Sequence, residues 1–315
     1  MSQQDERPTL EPVTQQFIDS LAAGAALPAE ARAWLVGAQS TPTGKPRVVT
    51  EDLVLAVGPT GSVDVRIVRP PGVDGALPIV MLFHGGGSML GDRDTHDRFM
   101  REIAVGAGAA IVFVGYERVP ERAYPVAVEQ AYAAMVHVVG QAATLRLDQT
   151  RLAVIGDGVG GGIAASVVMM AKERRGPRIE YQVLLYPVTD ACFDTPSYRL
   201  FAEGPWLTRE AMMGFWDAYL PDRSARGDKR ATPLSASLAA LRGLPDALVI
   251  VAESDVLRDE GEAYARKLSD AGVRVTSMRY NGTIHDFALL HALADTPAAR
   301  SAMGQIILAL KSALH

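Results

Sequence analysis

Short apolar runs alternate with stretches of helical spacing over most of the chain. The apolar runs are Val48 to Val57, Ser62 to Val68, Ile79 to Phe83, Ala110 to Gly115, Leu152 to Ile155, Val183 to Tyr186, Ala247 to Val251 and Val273 to Tyr280. Between them lie runs of helical spacing near Arg98 to Ala107, Ala127 to Gly140, Val159 to Lys172, Asp259 to Ala271 and Ala298 to Leu314. Strands that read as continuous apolar runs and alternate with helices predict a mostly parallel sheet of eight strands, covered by helices on both faces. The first two strands are joined by Gly58-Pro59-Thr60-Gly61 and read as an antiparallel hairpin at one edge. Val13 to Leu35 also has helical spacing, with Phe17, Leu21, Ala25 and Trp34 available to one face. A second helical stretch, Leu207 to Leu220, interrupts the crossover between the sixth and seventh strands.

Composition narrows the class without naming a reaction. The 315 residues are 48% hydrophobic and show no periodic repeat, enough for one large core and a smaller appendage. A net charge of −5 and a pI near 5.7 give no electrostatic reason to bind nucleic acid or an anionic membrane. With Cys192 as its single cysteine, the chain forms no internal disulfide. The first residues are polar and carry no apolar segment of signal-peptide length, and no apolar run is long enough to span a bilayer. These features lead to the expectation of a cytoplasmic protein.

Three stretches carry chemistry. Leu152-Ala153-Val154-Ile155 leads into Gly156-Asp157-Gly158-Val159-Gly160-Gly161 and then a helical run, which reads as strand, sharp turn and helix. That is the setting of a G-x-S-x-G nucleophile turn, yet its middle position is Gly158. Ile79 to Phe83 leads into His84-Gly85-Gly86-Gly87, where glycines let the backbone approach a ligand closely with N–H groups free. By itself this loop reads as an oxyanion hole, a phosphate loop or a flexible turn. Asp255 and His285 follow the seventh and eighth strands, where open α/β sheets place their sites. Asp259 and Glu260 compete for the acid role, but both open a helix whose dipole favours carboxylates there. Asp157 reads as a structural hydrogen-bonding group, and His84 as a tie for the glycine loop. His96 and His291 have no ligand spacing with His285 on one helix, so no metal or other cofactor is expected.

Taken in order, His84-Gly85-Gly86-Gly87 with Asp94-Thr95-His96-Asp97, Tyr116 to Glu121 with Tyr124-Pro125, the turn at 156 to 161, Asp255 to Gly261 and His285-Asp286-Phe287 resemble one family. It is the hormone-sensitive-lipase-like branch of α/β-hydrolase carboxylesterases. The resemblance implies an α/β-hydrolase fold with N-terminal cap helices over residues 1–45, a core over 46–315 and a cap insertion at about 190–235. It implies oxyanion donors at Gly85, Gly86 and Val159, and a general base and acid in His285 oriented by Asp255. Ser88, Met89, Met213, Phe215 and Trp216 become the expected substrate pocket. Its ligand is a small-molecule ester or another small apolar ligand, and a homodimer through edge strands or terminal helices is the assembly it allows.

Two residues depart from the family pattern. Gly158 stands where the family has serine, and Ser88 where it usually has a bulky aromatic. Deleting the nucleophile of a serine hydrolase removes roughly 10⁶ in turnover, so near-inactivity towards short-chain acyl esters is expected. Three origins fit: an esterase whose serine was replaced, a small-molecule-binding pseudoenzyme or receptor, and a lyase- or cyclase-type enzyme reusing Asp255 and His285. Keeping that pair favours the esterase framework.

Overall fold

The computed structural model describes residues 7–21, 31–39 and 43–315. Its strands are β1 (Val49–Leu55), β2 (Val63–Arg69), β3 (Leu77–Phe83), β4 (Ala110–Gly115), β5 (Leu147–Asp157), β6 (Tyr181–Leu185), β7 (Asp246–Ser254) and β8 (Val275–Ile284). They form one sheet in the order β1-β2-β4-β3-β5-β6-β7-β8. β2 pairs antiparallel with both β1 and β4, and every later pairing is parallel. The hairpin at the edge turns through Gly58 and Gly61, whose φ values of 80° and 84° suit a residue without Cβ.

The helices are α1 (Pro12–Ser20), α2 (Ala31–Ala38), α3 (Asp97–Ala107), α4 (Val126–Gly140), α5 (Val159–Glu173), α6 (Pro196–Leu200), α7 (Arg209–Tyr219), α8 (Leu238–Leu241), α9 (Arg258–Asp270) and α10 (Pro297–Leu314). One face of the sheet packs against α4, α5 and α9 through residues such as Met135, Val167 and Leu268. The other packs against α3 and α10 through Phe99, Ile103, Met303 and Ile306. β3, central and covered on both faces, is buried along its whole length. A separate apolar cluster joins Tyr198, Phe201, Met212 and Trp216 of the β6–β7 crossover to Val256 and Leu257 beside the strand ends.

The N-terminal run differs from its sequence reading. α1 ends at Ser20 and Leu21 is extended (φ −75°, ψ 131°), so the run forms two helices rather than one. Gly24 and Pro28 are its residues least suited to a helix interior. Phe17 is buried on the sheet side, whereas Ala25 and the Trp34 side chain lie outside the described residues. β8 runs four residues past its expected end, with Gly282 (φ 69°) in its last stretch and a register shift against β7 at Ala252/Ser254.

Candidate active site

The carboxyl ends of β3, β5, β7 and β8 bring the candidate residues to one place. β5 delivers Gly158 in a sharp turn with φ 52° and ψ −121°, a conformation strained for any residue with a Cβ. The turn is pinned on both sides: Gly158 N–H donates to Leu185 O (3.0 Å), and Gly158 O accepts from Val188 N–H (2.9 Å). Its flanking glycines are required by close packing. A Cβ at Gly156 would stand 2.1 Å from Gly160 O, and one at Gly160 2.0 Å from Phe83 O.

Asp255 and His285 are paired. Asp255 Oδ2 lies 2.7 Å from His285 Nδ1, while Asp255 Oδ1 accepts the Leu257 N–H at 2.9 Å. The other ring nitrogen, Nε2, lies 3.4 Å from where a Cβ on Gly158 would stand. Tyr186 packs its ring against the imidazole at 4.7 Å and 62° and helps fix its orientation. Burial alone would push His285 down, but the carboxylates of Asp255 and Asp286 outweigh it and push the imidazole up to about 9. The competing acids are occupied elsewhere. Asp259 accepts from Ser197 N–H, and buried Glu260 accepts from Thr189 N–H and Asp190 N–H.

The glycine loop needs one correction. Gly85 N–H, expected to face an oxyanion, donates instead to Asp157 Oδ1 at 3.0 Å. The loop donors left without an acceptor among the described residues are Gly86 and Gly87, both at positive φ (99° and 59°). Val159 N–H opens α5 and likewise has no acceptor, as expected of a first-turn donor. The glycine loop and the turn meet here, with Gly85 Cα 3.9 Å from where a Cβ on Gly158 would stand.

Beneath it lies a buried polar network. Asp157 Oδ2 meets His96 Nε2 at 3.2 Å. Burial works against the charge of Asp157, yet His96 and the Gly85 N–H hold the carboxyl below its ordinary range, and His96 is raised in turn by Asp157 against its own burial. His84 stacks on Tyr116 at 4.3 Å, lies with Nδ1 2.9 Å from Gly85 O, and accepts the Tyr116 hydroxyl on its backbone oxygen. Burial, then neighbouring His96, depresses His84 to about 3, so it is neutral and serves the loop rather than proton transfer.

The family follows from this geometry and from the sequence match behind it. A family model described as the alpha/beta hydrolase fold matches residues 80–289. The chain belongs to the hormone-sensitive-lipase-like α/β hydrolases. A carboxylesterase, NlhH of Mycobacterium tuberculosis, is 37% identical over 98% of this chain and 98% of its own. An ethyl acetate hydrolase of Pseudomonas putida is 38% identical over 75% of this chain and 74% of its own. A thermostable esterase from Pseudomonas putida, solved by crystallography, superposes with a TM-score of 0.95 at 46% identity, covering 98% of this chain and 99% of that one. By family this hydrolase is a carboxylic ester hydrolase of the carboxylesterase type.

A pocket beside Val159 is lined by Gly87, Ser88, Ile163, Val188, Met212, Phe215, Trp216, Tyr219 and Arg230 among others, while Gly158, Asp255 and His285 lie outside its lining. Phe215 lies directly over the glycine loop, since a Cβ on Gly87 would meet its ring at 2.6 Å. Of the five expected pocket residues, Ser88, Phe215 and Trp216 line this pocket and two do not. Met89 packs between Leu35 and Leu90 on one side and the cap cluster of Met212 and Trp216 on the other, without lining the pocket. Met213 is 38% exposed and turned away, whereas its neighbour Met212 is 3% exposed and lines the pocket. A step of one residue turns a helix by about 100°, and the spacing of α7 alone did not show which methionine faces inward. Sequence reasoning missed Tyr186 and Trp206, neither of which carries a local signal; Gly87 and Asp286 were named within their motifs but given no role of their own. Among the described residues no helix is long and apolar enough to cross a membrane.

Proposed function

We propose that this hydrolase is built for short-chain acyl esters and is nearly silent as written, because Gly158 occupies the nucleophile position. The observation that carries this reading is His285 Nε2 standing 3.4 Å from the Cβ position of Gly158, with Nδ1 held by Asp255 at 2.7 Å. A hydroxyl at 158 would face the base, and the N–H groups of Gly86, Gly87 and Val159 would receive the oxyanion. His285 would take the hydroxyl proton and return it to the leaving alcohol, while Asp255 keeps the ring oriented. Residues 1–45 and the insertion at about 190–235 serve as a two-part cap, with Met212, Phe215 and Trp216 shaping the acyl side.

A largely apolar pocket lined by Met212, Phe215, Trp216 and Tyr219 suits small acyl groups, and the relative named for ethyl acetate hydrolysis supports that size class. A receptor of this fold has no use for the Asp255–His285 pair, which is why an ester hydrolase, edited or naturally varied, is the better reading than a pure binding protein. Burial works against charge on His285, but Asp255 and Asp286 push its imidazole up to about 9, so the share of free base, and with it turnover in Gly158→Ser, should rise with pH towards that value. The test is Gly158→Ser assayed with a short-chain p-nitrophenyl ester. Turnover should rise by several orders of magnitude, and a well-folded variant that stays inert refutes the proposal.

A further inference from the structure

His285 faces carboxylates at both ring nitrogens. Asp255 takes Nδ1 at 2.7 Å, and Asp286 Oδ1 lies 3.5 Å from Nε2, on the side where a catalytic hydroxyl would have to bind. Asp286 is not simply the next residue along the chain swinging past. Its backbone is at φ 63°, uncommon for a residue with a side chain, and its carbonyl accepts both Leu289 N–H (2.8 Å) and Leu290 N–H (2.9 Å). Its other carboxylate oxygen, Oδ2, accepts the Trp206 indole N–H at 3.0 Å. Trp206 in turn packs against Phe17 of α1, with ring centroids 5.3 Å apart and the rings tilted by 48°. Phe17, Trp206, Asp286 and His285 thus form a continuous line of contact from the N-terminal helix to the imidazole.

We propose that Asp286 is a positioning residue for His285, a second carboxylate that meets Nε2 opposite Asp255 and favours the proton-bearing ring. The inference deepens the reading above, since the ring concerned is the proposed base. The other groups facing this pair are Asp157 from the end of β5, Tyr186 after β6 and His96 ahead of α3. Asp157 adds to the effect of Asp286 on His285 and itself faces His96 Nε2 at 3.2 Å. In a serine-bearing enzyme the arrangement would cut both ways. It delays the appearance of the free base as pH rises, and it stabilises the imidazolium formed when the hydroxyl proton moves to Nε2.

The experiment needs no turnover, so its failure is distinct from failure of the esterase reading. The His285 imidazole signals, assigned by their loss in His285→Ala, are titrated by NMR in the chain as it stands and in Asp286→Asn. An opposite charge at this range is worth about 1–3 pH units, so the His285 midpoint should fall by about one unit or more in Asp286→Asn. In Trp206→Phe, which removes the indole N–H and keeps the aspartate, it should fall by less. In the Gly158→Ser background, the pH at which kcat/KM rises should move down in parallel with Asp286→Asn. An unchanged His285 midpoint in folded Asp286→Asn overturns the proposal. Where Asp286→Asn does not fold, an unchanged midpoint in Trp206→Phe does so.

Discussion

Replacing Gly158 by serine perturbs rate and stability in opposite directions, and both magnitudes follow from the geometry. The nearest atoms to a Cβ at 158 are His285 Nε2 (3.4 Å), His285 Cε1 (3.7 Å) and Gly85 Cα (3.9 Å), all ordinary contact distances, so the Cβ itself has room. The backbone does not welcome it. At φ 52° and ψ −121° a residue with a Cβ is strained by about 1–3 kcal/mol. Gly158→Ser should therefore lower the unfolding free energy by roughly that amount, a loss of a few degrees in Tm for a chain of this size. Against this, restoring a nucleophile to an intact base and the proposed oxyanion donors should recover up to about 10⁶ in kcat, or ~8 kcal/mol of barrier. The assay is release of p-nitrophenol from acetyl and butyryl esters between about pH 7 and about pH 9, with circular dichroism to establish the fold. A gain in turnover with no loss of stability would refute the strain argument. Retained fold with no gain would refute the placement of the site.

Three further outcomes test other parts of the account. Asp157→Ala leaves His96 without its carboxylate and frees Gly85 N–H; breaking such a buried pair costs about 3–5 kcal/mol, read as a lower urea midpoint. His285 is raised from its ordinary value to about 9, so its contribution is present in full below the unfolded value and is lost as pH rises through the folded one. Stability should accordingly fall by roughly 3 kcal/mol between about pH 6 and about pH 9.5, and chemical denaturation of His285→Ala across that window should lack this slope. Met212→Ala should destabilise by about 2–5 kcal/mol and, in the Gly158→Ser background, shift chain-length preference towards longer acyl esters, whereas exposed Met213→Ala should change stability by less than about 0.5 kcal/mol.

The sheet was legible because period and burial agree. β3, β4, β6 and β7 are short, mostly buried apolar runs; β3, β4 and β7 end at or just before a glycine or aspartate, and β6 before Tyr186-Pro187. The Asp255–His285 pairing was legible for a similar reason, as strand ends converge by topology. What was not legible depends on three-dimensional direction. Gly85, Gly86 and Gly87 are identical in sequence, and only the Asp157 carboxylate beneath the loop decides which N–H is consumed. Met212 and Met213 are separated only by the rotation of α7. Asp286 reads as the neighbour of His285, and its approach to Nε2 follows from a left-handed backbone and an indole donor 80 residues earlier in the chain.

Covalent labelling tests the assignment of position 158 most directly. A fluorophosphonate reacts with an activated serine beside an oxyanion hole and needs no knowledge of the natural ester. Incubated with Gly158→Ser, it should leave one phosphonyl group on the peptide spanning residue 158, detected by mass spectrometry, and His285→Ala in the same background should abolish it. The unaltered chain should carry no adduct on that peptide. Labelling of the unaltered chain at another residue, or a folded Gly158→Ser protein that stays unlabelled, would contradict the account.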